Sequence, residues 1–244
     1  MRSEKRAKKE TAARKKKCKA DNYFLYDLAK VTGIIPVMIW MRPKVLRPFG
    51  KHPIKGGFIL SSNHVSFFDP IAILCAFWKR RVFSLATTEL YDTPGKRWIF
   101  ENMKCIPVDK QNFSLDSFHE VTRRLKKGKV ICIFPEGQIN FHSNDMLAFK
   151  SGMILMAHTA NVPILPIYLV PVKRRTRRRI VVVGEPIHVR AMCGRMPSAE
   201  DLNRVADYVH EKEQELKSFY DSKFHKNTSE AECLSDPKEE VVSK

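Results

Sequence analysis

From Gly56 onward, short unbroken apolar runs alternate with segments in which apolar positions recur every three or four residues. Phe58-Ile59-Leu60, Val82-Phe83-Ser84-Leu85, Val130-Ile131-Cys132-Ile133-Phe134, Ile164 to Val170 and Ile180-Val181-Val182-Val183 are too short for helices. Their continuous apolar character reads as strands buried on both faces. Between them Pro70 to Trp78, Leu115 to Leu125 and Ala148 to Thr159 read as helices, the second with Leu115, Phe118, Val121 and Leu125 along one face. From Ser198 a long charged helix carries Leu202, Val205, Val209 and Leu216 and is expected to end near Lys226. Strands alternating with helices predict an α/β fold with a largely parallel central sheet flanked by helices. No repeat or linker divides this region, so residues 49–226 are expected to form one domain around one core, which a chain of 244 residues and 43% hydrophobic composition can supply.

The pattern upstream is different. Tyr23-Phe24-Leu25-Tyr26, Leu28, Val31 and Ile34 to Met41 are rich in large apolar and aromatic side chains, interrupted by Asp27, Lys30, Gly33 and Pro36. The unbroken apolar run is far shorter than the roughly twenty residues of a spanning helix. A helix lying in the membrane interface fits it better; an ordinary helix packed on the core is the alternative. The first twenty residues hold most of their charge as Lys and Arg, against only Glu4 and Glu10. Residues 1–48 therefore read as a basic, amphipathic membrane-associating segment, without the apolar core and small-residue cleavage site of a secretory signal. Residues 227–244, with Glu230, Glu232, Asp236, Glu239 and Glu240, read as a disordered acidic tail.

Lys and Arg number 44 against 26 Asp and Glu, a formal excess of +18, which calls for an anionic partner. Charge alone does not separate a phospholipid surface from nucleic acid, but the sequence carries no recognisable nucleic-acid-binding motif. The six cysteines, Cys18, Cys75, Cys105, Cys132, Cys193 and Cys233, have no paired C-x-x-C spacing. They point to a reduced, cytosol-facing chain rather than a disulfide scaffold or a metal site.

Two short segments carry candidate chemistry. After the first predicted core strand comes Ser61-Ser62-Asn63-His64-Val65-Ser66-Phe67-Phe68-Asp69-Pro70. Asp followed by Pro is a helix start, with Asp69 expected to cap the first N–H groups and Pro70 to take the first helical position. His64 then lies in the loop ahead of that helix, where its imidazole can fold back onto the Asp69 carboxylate. Such a contact fixes the tautomer and leaves the other nitrogen to accept a proton from a hydroxyl; a capping Asp beside a chemically idle His is the alternative. Further along, the strand ending at Ile133 runs into Phe134-Pro135-Glu136-Gly137. The carboxyl end of such a strand is where open α/β sheets place ligands. Glu136 can hold a ligand hydroxyl or a basic residue there, and Gly137 lets backbone approach closely; a simple turn is the alternative.

Together these segments resemble the glycerolipid acyltransferase family, most closely its bacterial-type 1-acyl-glycerol-3-phosphate (lysophosphatidic acid) acyltransferases. The family's N-H-x-x-x-x-D signature is matched by Asn63, His64 and Asp69, and its F-P-E-G block by Phe134 to Gly137. Ile106-Pro107-Val108-Asp109-Lys110 matches a block in which the family often has Arg where Lys110 stands, and Val162 to Ile167 matches an apolar block holding Pro. The resemblance implies that His64 and Asp69 are catalytic and that Asn63, Lys110, Glu136, Gly137 and Lys150 bind substrate. It also implies a reaction without metal or cofactor: a fatty acyl group passes from acyl-CoA or acyl-ACP, as co-substrate, to the free sn-2 hydroxyl of 1-acyl-glycerol 3-phosphate, giving phosphatidic acid. The expected setting is the cytoplasmic face of a membrane, held there peripherally or monotopically. The family commonly continues F-P-E-G with Thr-Arg-Ser, where this chain has Gln138-Ile139-Asn140. The missing basic residue shifts phosphate neutralisation to Lys110, Lys150 or a residue the sequence does not reveal, and keeps glycerol 3-phosphate or another lysophospholipid open as acceptor. A more distant alternative is an inactive membrane- or nucleic-acid-binding protein of the same fold.

Overall fold

The computed structural model describes residues 23–109, 114–137, 146, 149–171 and 178–224. Among these residues seven strands form one sheet: β1 (Lys44–Leu46), β2 (Phe58–Ser62), β3 (Val82–Thr87), β4 (Ile106–Val108), β5 (Val130–Ile133), β6 (Ile164–Leu169) and β7 (Ile180–Val183). Their order across the sheet is β1-β7-β6-β2-β5-β3-β4. Every pairing is parallel except β6 with β7. The uniformly apolar runs occupy the middle of the sheet, and Ile59, Leu60, Phe83, Ile131, Ile164 and Ile167 are fully buried, as strands covered on both faces require. Burying a side chain of this size removes roughly 1.5–3 kcal/mol of unfavourable hydration.

The helices are α1 (Phe24–Met41), with a π-helical stretch at Lys30–Ile34, and then α2 (Asp69–Ala76), α3 (Pro94–Asn102), α4 (Leu115–Lys126), α5 (Gly152–Ala160), α6 (Val189–Cys193) and α7 (Ala199–Phe224). Helix α4 shows why its boundaries fall where they do. Ser114 caps its first turn by accepting the N–H of Ser117 at 3.1 Å, and Asp116 at its start and Arg123, Arg124 and Lys126 at its end complement the helix dipole.

Connections decide where a site can form. From β2 the chain crosses by α2 to β3 on one side, whereas from neighbouring β5 it crosses by α5 to β6 on the other. Because parallel crossovers are right-handed, opposite directions place α2 and α5 on opposite faces. The crevice between the carboxyl ends of β2 and β5 is thus a topological switch point, the ligand-binding position of open α/β sheets.

The strands predicted from apolar runs are all present. Two were not predicted, β1 and β4, each of three residues and each at a sheet edge. The sheet therefore begins inside the stretch read as membrane-associating. The helix expected from Ala148 begins at Gly152, and the expected tail at 227–244 lies outside the described residues.

Candidate active site

Ser61 and Ser62 end β2 fully buried, and Asn63 continues inward. Its side chain donates to the carbonyl of Leu169 at 3.0 Å and accepts the Leu169 N–H at 2.7 Å. This amide, expected to contact substrate, instead locks the end of β2 to the end of β6. The chain then turns outward, and His64 opens the loop to α2.

His64 Nδ1 lies 2.9 Å from Asp69 Oδ2, with the ring 16% exposed and the carboxylate 2%. The same oxygen accepts the N–H groups of Val65 and Ser66, both at 2.7 Å. Asp69 therefore does not cap α2 as expected. It is the first residue of that helix, after Phe68 at the cap position, and its carboxylate turns back to the loop. This is a stronger arrangement for the site, because one buried anion fixes both the ring and the backbone that carries it. With Nδ1 engaged, Nε2 is the nitrogen left for an incoming hydroxyl.

Across the crevice, the Phe134 ring stacks on the imidazole with centroids 4.0 Å apart and planes 17° from parallel. The two sequence segments thus meet in space. Gly137 has φ of +71°, a left-handed conformation suited to glycine, and a Cβ at that position would sit 3.2 Å from Lys150 Nζ. Lys150 itself is exposed and its N–H donates to Pro135 O at 3.2 Å. The structure therefore joins His64, Asp69, Phe134, Gly137 and Lys150. Glu136 is buried instead of facing the open crevice, and Lys110 lies outside the described residues.

A further carboxylate, absent from the sequence-based candidates, underlies the loop. Glu213 of α7 is fully buried, accepts the Ser61 hydroxyl at 2.5 Å and takes the Asn63 N–H. Burial pushes its pKa well above the usual carboxylate range, the nearby Glu136 adds to the rise, and the bonds from Ser61 and Asn63 oppose it. The signal was present in the sequence: Glu213 stands in the stripe Val205, Val209, Glu213, Leu216, the buried face of an amphipathic helix.

The four thiols among the described residues are chemically quiet. Burial raises Cys75 and Cys105 to about 11 and raises Cys132 further, while Cys193 also shifts upward through burial. A nucleophilic cysteine needs the opposite shift. Among the described residues, no group of three or more His, Cys, Asp or Glu side chains is placed to hold a metal ion.

The mostly parallel sheet and the histidine–carboxylate pair at its switch point make this an α/β protein of the class whose site is suited to accepting a proton from a hydroxyl. Within that class, the chain belongs to the acyltransferase family, whose model, described as Acyltransferase, matches residues 43–170. It is similar to a probable 1-acyl-sn-glycerol-3-phosphate acyltransferase of Mycoplasma pneumoniae, 32% identical over 58% of this chain and 55% of that one. A 1-acyl-sn-glycerol-3-phosphate acyltransferase of Streptococcus pneumoniae is 27% identical over 65% of this chain and 60% of its own length. The chain spans little more than half the length of these curated relatives. The crystal structure of the 1-acyl-sn-glycerophosphate (LPA) acyltransferase PlsC from Thermotoga maritima shares the fold, with a TM-score of 0.57 over 80% of this chain and 79% of that one at 22% identity.

Proposed function

We propose that the protein transfers a fatty acyl group from acyl-CoA or acyl-ACP to the sn-2 hydroxyl of 1-acyl-glycerol 3-phosphate, forming phosphatidic acid at the cytoplasmic face of a membrane. The observation that carries the reading is the 2.9 Å His64–Asp69 contact at the mouth of the switch-point crevice. In this mechanism Nε2 of His64 takes the hydroxyl proton as the oxygen bonds to the thioester carbonyl carbon. The tetrahedral adduct collapses, the C–S bond breaks, and the departing thiolate receives that proton from the imidazolium. The quiet thiols favour this direct transfer over a covalent acyl-enzyme. Lys150, pressed against the Gly137 turn, is suited to the acceptor phosphate, with Lys110 as the second cation of the same role. The acceptor named here is the one named for the curated relatives; the departure at residues 138–140 keeps glycerol 3-phosphate or another lysophospholipid as the second reading.

The test offers purified protein lysophosphatidic acid, glycerol 3-phosphate and lysophosphatidylcholine separately, each with a labelled acyl thioester. Labelled phosphatidic acid is expected from the first, with turnover lowered about 10²- to 10⁴-fold in His64→Ala. Folded protein that acylates none of the three in the presence of membranes overturns the proposal.

A further inference from the structure

The chain holds a second place where charge and apolar surface converge. At the amino ends of β3 and β5, away from His64, helix α1 and the turn following α2 enclose a groove of about 540 Å³. Among the described residues, five cations line it, Lys30, Lys79, Arg80, Arg81 and Lys129, against one carboxylate, that of Asp27. Local bonds neutralise little of this charge. Asp27 takes Arg81 through two hydrogen bonds of 2.8 and 2.6 Å. Arg80 donates to the carbonyls of Ile54, Gly56 and Gly128, and Lys30 donates to the carbonyl of Arg80 at 2.7 Å. Carbonyls are dipoles and cancel no net charge. Arg81 and Lys129 lie over the same Tyr23 ring, 5.0 and 4.8 Å from its centroid. Burial lowers the Lys30 pKa, with Asp27 opposing and Arg81 reinforcing the shift, so the fold crowds cations here at a cost.

The apolar part of the wall is made by Val31, Ile35, Met38 and Trp78. Val31 and Ile35 also belong to an exposed stripe on α1 that includes Phe24, Leu28 and Ile39. The groove therefore opens onto the apolar face of that helix. A free phosphate would leave the apolar wall wet, and an apolar chain alone would leave the cations unanswered. One kind of molecule satisfies both: an anionic head carrying acyl chains.

We infer that this groove holds the headgroup of an anionic phospholipid, its chains lying along the α1 stripe, at a site separate from the reacting centre. The inference rests on α1 lying in a membrane interface and is independent of the acyl transfer. A Trp40→Phe/Trp98→Phe variant leaves Trp78, in the groove, as the only tryptophan of the three. Its emission is followed during titration with dihexanoyl-phosphatidylglycerol, dihexanoyl-phosphatidylcholine, both below their micellar concentrations, and inorganic phosphate. A saturable change is expected with the first alone. Adding Lys79→Ala and Lys129→Ala should raise the half-saturating concentration roughly 25-fold, about fivefold per cation near an anionic headgroup. Equal responses to phosphatidylcholine, equal responses to phosphate, or indifference to the two lysines would each overturn the inference. If the tryptophan variant does not fold, sedimentation with phosphatidylcholine vesicles, with and without phosphatidylglycerol, serves instead. The gain from phosphatidylglycerol should then vanish in Lys79→Ala/Lys129→Ala, and a gain that persists sinks the site. Acyl transfer to monomeric substrate is measured in parallel and should be unchanged by these two substitutions, so failure of the groove and failure of the reaction are read apart.

Discussion

One oxygen of Asp69 holds the ring of His64 and two backbone N–H groups, and these tasks can be separated by substitution. In Asp69→Asn an amide oxygen can still accept from Val65 and Ser66, but the negative charge that stabilises an imidazolium is gone. In Asp69→Ala both N–H groups lose their acceptor in a part-buried loop, at about 1–3 kcal/mol for each group left dry. The expected outcome is that Asn keeps most of the folding stability and loses turnover, whereas Ala loses both. Urea unfolding alongside steady-state rates checks this; full turnover in Asp69→Asn would remove the carboxylate from the mechanism. The residues of the pair were legible in the sequence because motif spacing survives the loop geometry. The direction of each polar side chain was not. Nothing in the string of letters separates an Asn63 amide aimed at a ligand from one aimed at Leu169, distant in sequence and adjacent only once β2 and β6 pair in parallel.

At the scale of elements, α7 reaches under the reacting loop, and Glu213 is its point of contact. Oε1 takes the Ser61 hydroxyl, while Oε2 is buried without a hydrogen-bond partner among the described residues. That favours the protonated form. The groups facing it are Glu136 after β5, which raises its pKa, and Cys132 of β5, whose own pKa is raised by burial and by the charges of Asp69 and Glu213. A carboxyl whose folded pKa lies above its unfolded value contributes stability that is full below the unfolded pKa and is lost as pH rises towards the folded one. Wild type should therefore lose stability relative to Glu213→Gln from about pH 4.5 upward, at about 1.4 kcal/mol per pH unit within the window. Melting curves of both proteins across pH test this, and parallel profiles would show that Glu213 titrates normally. The element pattern itself was readable because buried parallel strands are written as apolar runs. β1 and β4 were missed because three-residue edge strands are too short to show a period, and Pro107 inside β4 is tolerated only at an edge. Glu213 was missed because a carboxylate among the many charges of α7 attracts notice only when its place in the buried stripe is counted.

For the whole molecule the question is how the acyl transfer proposed above would bring a lipid acceptor from a bilayer to His64. Helix α1 is long and apolar enough to cross a membrane by length and composition, yet only 12% of it is buried. Its inward face is fastened to the domain: the Tyr26 hydroxyl donates to Val82 O at 2.8 Å, Asp27 pairs with Arg81, and Lys30 binds the Arg80 carbonyl. Those bonds hold it along the body, which suits a helix lying in the interface with Phe24, Leu28, Val31, Ile35 and Ile39 directed outward. It packs beside α2, and Phe67 and Phe68 are exposed in the loop between His64 and α2. Burial of one such side chain is worth about 1.5–3 kcal/mol, roughly tenfold or more in partition. Salt screens the basic contribution to membrane binding but not this one. High salt should therefore weaken sedimentation of wild type with phosphatidylcholine vesicles containing phosphatidylglycerol without abolishing it. Leu28→Asp/Ile39→Asp, which leaves Tyr26, Asp27 and Lys30 in place, should abolish the residue that salt spares and preserve turnover of a monomeric, short-chain acceptor. If the double variant still sediments fully at high salt, another surface does the anchoring and the path from bilayer to His64 must run elsewhere.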